Sequence, residues 1–244
     1  MNPQTSKQNV DRREIAHFDQ LASRWWDPRG EMGPLHSLNP PRVRYIEQAA
    51  GGLKGKRALD VGCGGGLLTE ALALKGAEVL GIDMAEDVLE VAKLHGLETQ
   101  LAQRGAKAEY RQVPAEELAR ELPEAFDLVC CMEMLEHVPQ PESVIAACAR
   151  MLKPGGTMVF STINRNPKSF ALAIVGAEYL LGLIPRGTHD YAKFIRPSEL
   201  DAWARAAGLE TVSMKGLRYN PLLKSASLAD DIDVNYLMHC RKPA

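Results

Sequence analysis

The chain has 244 residues, which is long enough to bury a full core and is read as one domain. Its 29 Lys and Arg residues against 31 Asp and Glu residues give a net charge of −2, and this lack of a basic excess argues against nucleic acid as a main partner. Five cysteines is an odd number, and three of them lie in or beside predicted strands, which favours free thiols in a reducing cytoplasm.

The first part of the chain, residues 12–50, is predicted to be helical. Before it, Met1 to Asp11 is polar and has no apolar run followed by a cleavage-like site, so no secretory signal is predicted. Glu14 to Trp26 carries four apolar side chains at helical spacing, namely Phe18, Leu21, Ala22 and Trp25. Prolines and glycines then break the pattern, and a second short helix is predicted over Arg42 to Ala50, after two prolines.

Strands and helices alternate through the rest of the chain. Strands are predicted over Arg57 to Asp60, Glu78 to Ile82, Glu109 to Val113, Leu128 to Cys131 and Thr157 to Ser161, with closing strands over Glu210 to Met214 and Val234 to His239. Helices are predicted over Ala85 to His95, Ala115 to Arg120, Pro141 to Leu152 and Pro197 to Ala207. This alternation predicts a doubly wound, parallel α/β sheet of seven strands. The single domain then consists of the helical segment 12–50, a core over 55–161, an insertion over 165–196 and a closing part over 197–240.

A glycine-rich loop follows the first predicted strand. Residues 60–66 read Asp-Val-Gly-Cys-Gly-Gly-Gly, and Gly62 and Gly64 would let the backbone approach a cofactor closely. The next strand ends at Asp83, which follows Gly62 by 21 residues and is placed to accept both hydroxyls of a ribose. The alternative role for Asp83 is to cap the helix that follows it. A dinucleotide fingerprint would require glycine at position 67, where the chain has Leu67.

Three candidate acceptor-site residues follow the apolar strand. Glu133, Glu136 and His137 are spaced i, i+3 and i+4, so all three would share one face if the chain turned helical there. Two carboxylates and an imidazole suit a divalent cation such as Mg²⁺. Without a metal, His137 could take a proton as a general base, or the segment could simply order its loop.

An apolar run of 15 residues, from Phe170 to Ile184, interrupts the predicted fold. It is shorter than the roughly 20 residues needed to span a bilayer. Its flanks carry basic residues that favour an anionic lipid surface: Arg165, Lys168, Arg186, Lys193 and Arg196. The run is interpreted either as a monotopic membrane contact or as a lid over the active site. Trp25 and Trp26 belong to the same lid or pack on the core.

Further motifs give the chain a family resemblance. The glycine-rich loop, Gly81-Ile82-Asp83, Phe126 to Val129, Glu136 to Pro139 and Leu152 to Gly156 together resemble the ordered motifs of class I S-adenosylmethionine-dependent methyltransferases. Across nearly the whole chain, Ser23 to Asp27, Asn39 to Arg42, Cys131 to His137, Val175 to Tyr179, Gly187 to Asp190 and Asp233 to Tyr236 look like the ubiquinone-biosynthesis O-methyltransferases.

The resemblance implies a function and adds two site residues. It implies transfer of a methyl group from S-adenosylmethionine to a ring hydroxyl of polyprenylated phenol intermediates, at two steps of the ubiquinone pathway. It implies that Arg42 pairs with the cofactor's carboxylate and that Met132 faces the cofactor, although Arg42 could be solvated and Met132 could be plain packing. Catalysis would then fall to His137 and Glu133.

Three other functions remain open at this stage. An NAD-linked dehydrogenase is disfavoured by Leu67, and a methyltransferase for protein or tRNA is disfavoured by the near-neutral charge. A non-catalytic, membrane-associated scaffold of a ubiquinone-biosynthesis complex would bind lipid and partners without turnover. The expected location is the cytoplasm, with peripheral attachment to the inner face of the cytoplasmic membrane.

Overall fold

The architecture is one mixed sheet with helices on both faces, seen in a computed structural model that describes residues 9–170 and 191–244. The helices in these ranges are α1 Arg12–Leu21, α2 Gly33–Ala49, α3 Leu67–Leu74, α4 Glu86–Glu98, α5 Ala115–Glu121, α6 Pro141–Met151, α7 Pro167–Ser169 and α8 Pro197–Ala206. The strands are β1 Arg57–Val61, β2 Glu78–Asp83, β3 Lys107–Gln112, β4 Phe126–Met132, β5 Leu152–Ile163, β6 Glu210–Asn220, β7 Ser225–Ala229 and β8 Asn235–Arg241.

The strand order places a cleft at the middle of the sheet. The order is β3-β2-β1-β4-β5-β8-β6-β7, with β3 to β5 parallel and the last three strands joined by antiparallel pairings. The chain winds outward from β1 to β3 and then returns to the other side of β1 with β4, so the direction of winding reverses between β1 and β4. Ligands of open α/β sheets bind outside the carboxyl ends of the strands at this reversal.

The central strands are buried on both faces, which explains their nearly continuous apolar sequences. Six of the seven residues of β4 are buried, as expected for a parallel strand covered by helices on both sides. Cys130 and Cys131 lie in this strand, and all five cysteines are free and buried. The cysteines therefore pack as small apolar side chains, as was predicted for Cys63, Cys130 and Cys131.

Within the described residues the sheet already has eight strands, so the prediction of seven was wrong. The additional strand, β7, pairs antiparallel with the far half of β6, from Gly216 to Asn220. It was missed because its sequence, Ser-Ala-Ser-Leu-Ala, is short and only weakly apolar. Such an edge strand depends mainly on main-chain pairing with its neighbour, which a side-chain pattern does not reveal.

Helix α2 also differs from its predicted extent. It begins at Gly33 and runs through Pro40 and Pro41, which were expected to precede the helix. Each proline removes one intrahelical hydrogen bond. The helix nevertheless continues, because its buried residues pack against the domain and the Asn39 side chain donates to the Leu67 carbonyl at 2.9 Å. This longer helix holds Arg42 in its interior instead of at its start.

Most of the apolar run lies outside the described residues. Of Phe170 to Ile184, only Phe170 is described; its ring is 43% exposed and contacts Tyr191 edge-on, with the centroids 5.4 Å apart. Across the described ranges, no helix has the length and apolar character needed to cross a membrane.

Candidate functional site

A cavity of about 670 Å³ opens at the carboxyl ends of β1, β2 and β4. It is lined by all eight residues that the sequence predicted for the site: Arg42, Gly62, Gly64, Asp83, Met132, Glu133, Glu136 and His137. Its size is typical of pockets that enclose small molecules. The predicted cofactor residues and the predicted acceptor residues therefore face a common space.

The glycine-rich loop is packed against Trp25. Gly62 and Gly64 have φ values of 72° and 52°, a left-handed conformation that favours glycine. A Cβ atom added at Gly64 would lie 2.2 Å from the Trp25 ring, and the Trp26 indole nitrogen donates to the Gly65 carbonyl at 2.9 Å. Trp25 is buried beside this loop, so its predicted packing role is confirmed. The N-terminal segment thus forms one wall of the cofactor site.

Replacing Gly64 with Ala should destabilise this wall. The methyl group would strain a residue in the left-handed conformation and would also force Trp25 to move. Displacing Trp25 should lower the free energy of unfolding by about 1–3 kcal/mol beyond the effect of the backbone strain. Gly105→Ala is the matched control, because Gly105 also has a positive φ of 77° but has nothing within 4 Å of an added Cβ. Denaturant unfolding of both variants measures the difference. Equal stability of the two variants would contradict the close packing of Trp25 on the loop.

Asp83 stabilises the glycine-rich loop and is also the candidate ligand for the ribose. Its two oxygens accept from the Gly64 and Ala85 amides, each at 2.9 Å. Burial raises the pKa of Asp83, while these amides oppose the shift. Because each carboxylate oxygen can accept two hydrogen bonds, one site per oxygen remains for a ribose hydroxyl. The alternative that Asp83 caps the following helix is not supported, because the N-cap of α4 is Ala85 and no side chain caps that helix.

Arg42 is buried inside the domain, which excludes the alternative of a solvated surface residue. Its Nη2 donates to Glu133 Oε1 at 2.8 Å, and its Nε is buried without a hydrogen-bond partner. A buried guanidinium N–H that lacks an acceptor is costly. A carboxylate entering the cavity beside Arg42 would supply that acceptor, and the site therefore fits the carboxylate of S-adenosylmethionine.

The chain does not form the helix after β4 on which Glu133, Glu136 and His137 would share one face. Glu133 has a φ of 50°, a left-handed conformation that bends the backbone after β4. Only a short 3-10 turn, Leu135–His137, follows this bend. The Glu133 amide donates to the Ser161 carbonyl at 2.9 Å, which holds this bend against β5. Met132, the last residue of β4, is buried at the cavity wall.

The three acceptor-site residues have separate partners. Glu133 accepts from Arg42 and from the Ser161 hydroxyl, and Glu136 accepts from Thr162 Oγ1 at 2.9 Å. The third residue, His137, has its Nδ1 3.0 Å from Glu14 Oε2. Within residues 9–170 and 191–244, no three His, Cys, Asp or Glu side chains are gathered as a metal site. A shared metal would require both carboxylates to reorganise their hydrogen bonds.

The pKa values of two residues on the acceptor side of the cavity, Glu136 and His137, are shifted by their surroundings. Burial, followed by the charge of Glu133, raises the pKa of Glu136 to about 7. Burial lowers the pKa of His137, but a hydrogen bond with Glu14 and the charges of Glu136 and Glu14 outweigh it, so the pKa is raised on balance. Titratable groups with perturbed pKa values in a cavity are typical of reaction sites.

Sequence reasoning missed two carboxylates at this site. Asp60, in the glycine-rich motif, is buried and accepts from Thr69 Oγ1 at 2.7 Å, and burial raises its pKa to about 6. Glu14 reaches the cavity from α1 and contacts His137. The signal for Glu14 was present in the sequence, because it lies one helical turn before Phe18, on the face that was predicted to be buried.

Comparison with solved structures supports the fold. Magnesium protoporphyrin IX methyltransferase from Synechocystis PCC 6803, solved with bound SAH, aligns with a TM-score of 0.69 and 17% identity over 93% of this chain and 94% of that one. The cyclase SpnF aligns with a TM-score of 0.63 and 18% identity over 97% of each chain. At these identities the likeness concerns the fold alone.

Sequence comparison identifies the class and then the family. A methyltransferase-domain profile matches residues 35–214, and together with the fold and the glycine-rich site it defines a class I S-adenosylmethionine-dependent methyltransferase. Ubiquinone biosynthesis O-methyltransferases from Pseudomonas syringae pv. tomato and Marinobacter nauticus are 60% and 61% identical to this chain; each alignment covers 97% of the chain, with 99% and 98% of the respective relative. The chain belongs to the family of ubiquinone biosynthesis O-methyltransferases.

Proposed function

We propose that this enzyme transfers a methyl group from S-adenosylmethionine to a ring hydroxyl of polyprenylated catechol-type intermediates, at both O-methylation steps of ubiquinone biosynthesis. The observation that carries the proposal is one shared cavity, which brings the glycine-rich loop and Asp83 together with the His137 side chain. The high identity to named ubiquinone biosynthesis O-methyltransferases supports the choice of substrate class.

The cofactor would lie between the glycine-rich loop and β4. Asp83 would accept the ribose hydroxyls, and Arg42 would pair its Nε with the carboxylate of the methionine part. Asp60 lies beside the loop and offers a carboxylate to the ammonium group. When bound, S-adenosylmethionine supplies the electrophilic methyl of its sulfonium group. Met132 would pack against the cofactor from the end of β4.

His137 is the proposed proton acceptor for the substrate hydroxyl. A phenol with an unperturbed pKa of about 10 is mostly protonated at neutral pH, whereas its anion is the better nucleophile. His137 lines the cavity, and the raised pKa of its imidazole strengthens it as a base. The enclosed cavity would also hold the oxygen close to the transferred methyl, which lowers the entropic cost of reaction.

Binding of Mg²⁺ remains a prediction, with Glu133, Glu136 and His137 as its ligands. Two neighbouring carboxylates and an imidazole form a donor set suited to a hard or borderline cation, although their present partners differ. A cation held there would lower the pKa of the catechol hydroxyl.

Methyl transfer by chelator-treated enzyme tests both the function and the metal. The enzyme is stripped with EDTA, assayed with a short-chain prenylated catechol, and assayed again after Mg²⁺ is added. Turnover restored only by Mg²⁺ would assign the three side chains to a metal, and turnover that survives chelation would assign proton acceptance to His137 alone. No turnover under either condition would contradict the proposed function and favour the scaffold or another acceptor.

The proposed location is the cytoplasm, in peripheral contact with the inner face of the cytoplasmic membrane. The apolar run over 170–184 supports this contact, as do Leu222 and Leu223, which are 92% and 74% exposed at the β6–β7 turn. Pro221 of the same turn lines the cavity, so a lipid contact there would bring a membrane-embedded prenyl tail close to the site. Among the described flanking cations, Arg165, Lys168 and Lys193 form ion pairs, so apolar contacts should dominate the attachment.

Vesicle sedimentation should detect this contact. We expect the enzyme to pellet with phosphatidylglycerol vesicles at low salt, and the double variant Leu222→Ser, Leu223→Ser to pellet less. Leu97→Ser is the matched control, because Leu97 is 76% exposed on α4. Failure of the wild-type enzyme to pellet at low salt would overturn the membrane proposal without affecting the methyltransferase assignment.

A further inference from the structure

Helix α1 precedes the residues that the methyltransferase-domain profile matches. The domain profile begins at residue 35, whereas α1 spans Arg12–Leu21. Two side chains one turn apart on α1, Glu14 and Phe18, nevertheless line the reaction cavity and contact His137. A helix that precedes the range matched by the domain profile therefore reaches the proposed proton acceptor.

Two contacts hold the imidazole of His137 in place: one is made by its Nδ1 atom, and the other is made by the ring itself. Nδ1 of His137 lies 3.0 Å from Oε2 of Glu14, and the Phe18 ring meets the imidazole edge-on, at 83° with the centroids 5.1 Å apart. The other oxygen of Glu14 accepts from Lys193 Nζ at 2.7 Å. Glu14 is only 22% exposed and His137 17%, so solvent screens this pair only partly.

The charge state of Glu14 determines which imidazole nitrogen carries the proton. The other oxygen of Glu14 pairs with the Lys193 ammonium group at 2.7 Å, and a carboxyl group paired with a cation is ionised at neutral pH. An ionised carboxylate can only accept hydrogen bonds. The proton must therefore lie on Nδ1 of His137, and in the neutral ring Nε2 is left with its lone pair.

We propose that Glu14 is a positioning residue for methyl transfer, which holds His137 in the Nδ1–H tautomer so that Nε2 is the nitrogen available to the substrate. This inference rests on the proposed function, in which His137 acts on the substrate hydroxyl. In other enzymes a carboxylate that accepts a hydrogen bond from Nδ1 of a histidine also orients that histidine as a general base. The same contact would orient His137 equally well for a metal. The N-terminal helix thus completes a site that the domain core only partly builds.

Variants of Glu14 test the inference. Glu14→Leu should lower kcat about 10–100-fold, as is usual when the partner of a functional histidine is removed, while the Kd for S-adenosylmethionine stays within about twofold. Glu14→Gln should lose less, because its amide oxygen still accepts from Nδ1–H. Glu47→Gln is the control, since Glu47 also pairs with a lysine, Lys75 at 2.7 Å, but lies on the surface. Melting temperatures establish that each variant is folded.

Two further readouts separate positioning from a purely structural role. Nitrogen-15 spectra of histidine-labelled enzyme, recorded where the imidazole is neutral, should show Nδ1 protonated in the wild type and a mixture of tautomers in Glu14→Leu. In a His137→Gln background, Glu14→Leu should change kcat by less than about threefold, because the group it positions is gone.

The outcomes distinguish this inference from the proposed function. Full activity of His137→Gln would overturn the proposed role of His137 and, with it, the inference. An impaired His137→Gln together with a Glu14→Leu variant of wild-type kcat and unchanged tautomer would overturn the inference alone. A Glu14→Leu variant that loses the same activity in both backgrounds would make Glu14 a structural residue.

Discussion

His137→Gln should lower kcat by about 10²–10⁴-fold, the usual contribution of a positioned general base. Glutamine preserves the polarity of the site but cannot take the proton from the substrate hydroxyl. The Kd for S-adenosylmethionine should remain within about twofold, because the cofactor contacts are proposed to lie on the glycine-rich loop, Asp83 and Arg42. Single-turnover methyl transfer and calorimetric titration measure the two quantities separately.

His239→Gln is the control for this substitution. His239 lies on β8, opposite Val159 of β5, and does not line the cavity. It should therefore retain wild-type kcat. A His137→Gln enzyme with unchanged kcat would mean that His137 neither accepts the proton nor holds a required metal.

Asp83→Ala should weaken S-adenosylmethionine binding about 100-fold or more. Two hydrogen bonds from ribose hydroxyls to an ionised carboxylate contribute about 1.5 kcal/mol each or more, and every 1.4 kcal/mol is tenfold in Kd. The substitution also removes the acceptor of the Gly64 and Ala85 amides, so the loop loses its brace. Calorimetric titration with S-adenosylmethionine gives the affinity directly.

A pair of asparagine variants controls for the general effect of removing a hydrogen-bonded carboxylate charge. Asp83→Asn should weaken binding by a smaller factor, since one oxygen remains. Asp127→Asn should leave the affinity unchanged, because Asp127 lies at the opposite end of the sheet and pairs with Lys153 at 2.7 Å. The ribose assignment fails if Asp83→Ala binds S-adenosylmethionine as tightly as the wild-type enzyme.

The alternation of strands and helices was predictable because each element carries its own periodic signal. β4 illustrates this, since a short, continuous apolar sequence is typical of a strand buried on both faces. The predicted extent of helix α2 was too short. The prediction started the helix after its prolines because proline destabilises the interior of an isolated helix. In the folded chain, packing of the buried face of α2 outweighs the lost hydrogen bonds. Edge strand β7 was missed because its stability comes from pairing with β6.

The site residues were predictable where they follow strands, because parallel strands bring their carboxyl ends together. Gly62 directly follows β1, while Asp83 and Met132 end β2 and β4, and the three residues meet at one cavity for this reason. The backbone bend at Glu133 was not predictable, since a left-handed glutamate depends on the hydrogen bonds that hold it. The contact between Glu14 and His137 joins residues 123 positions apart, and local patterns carry no information about such a pairing.

The site carries more functional information than the fold does. A cyclase shares this architecture with methyltransferases, so the sheet alone does not define a reaction. What supports O-methylation is the combination of a cofactor loop, a buried arginine with an unused N–H and a histidine backed by a carboxylate. These groups come from the core and from the N-terminal helices together.

The most direct test of the account is the position of the transferred methyl group. The enzyme is incubated with S-adenosylmethionine carrying a carbon-13 methyl and with a short-chain prenylated catechol, and the product is analysed by NMR. The account predicts a single labelled methyl ether on a ring oxygen. A labelled methyl on a ring carbon, or no labelled product with folded, cofactor-bound enzyme, would contradict it.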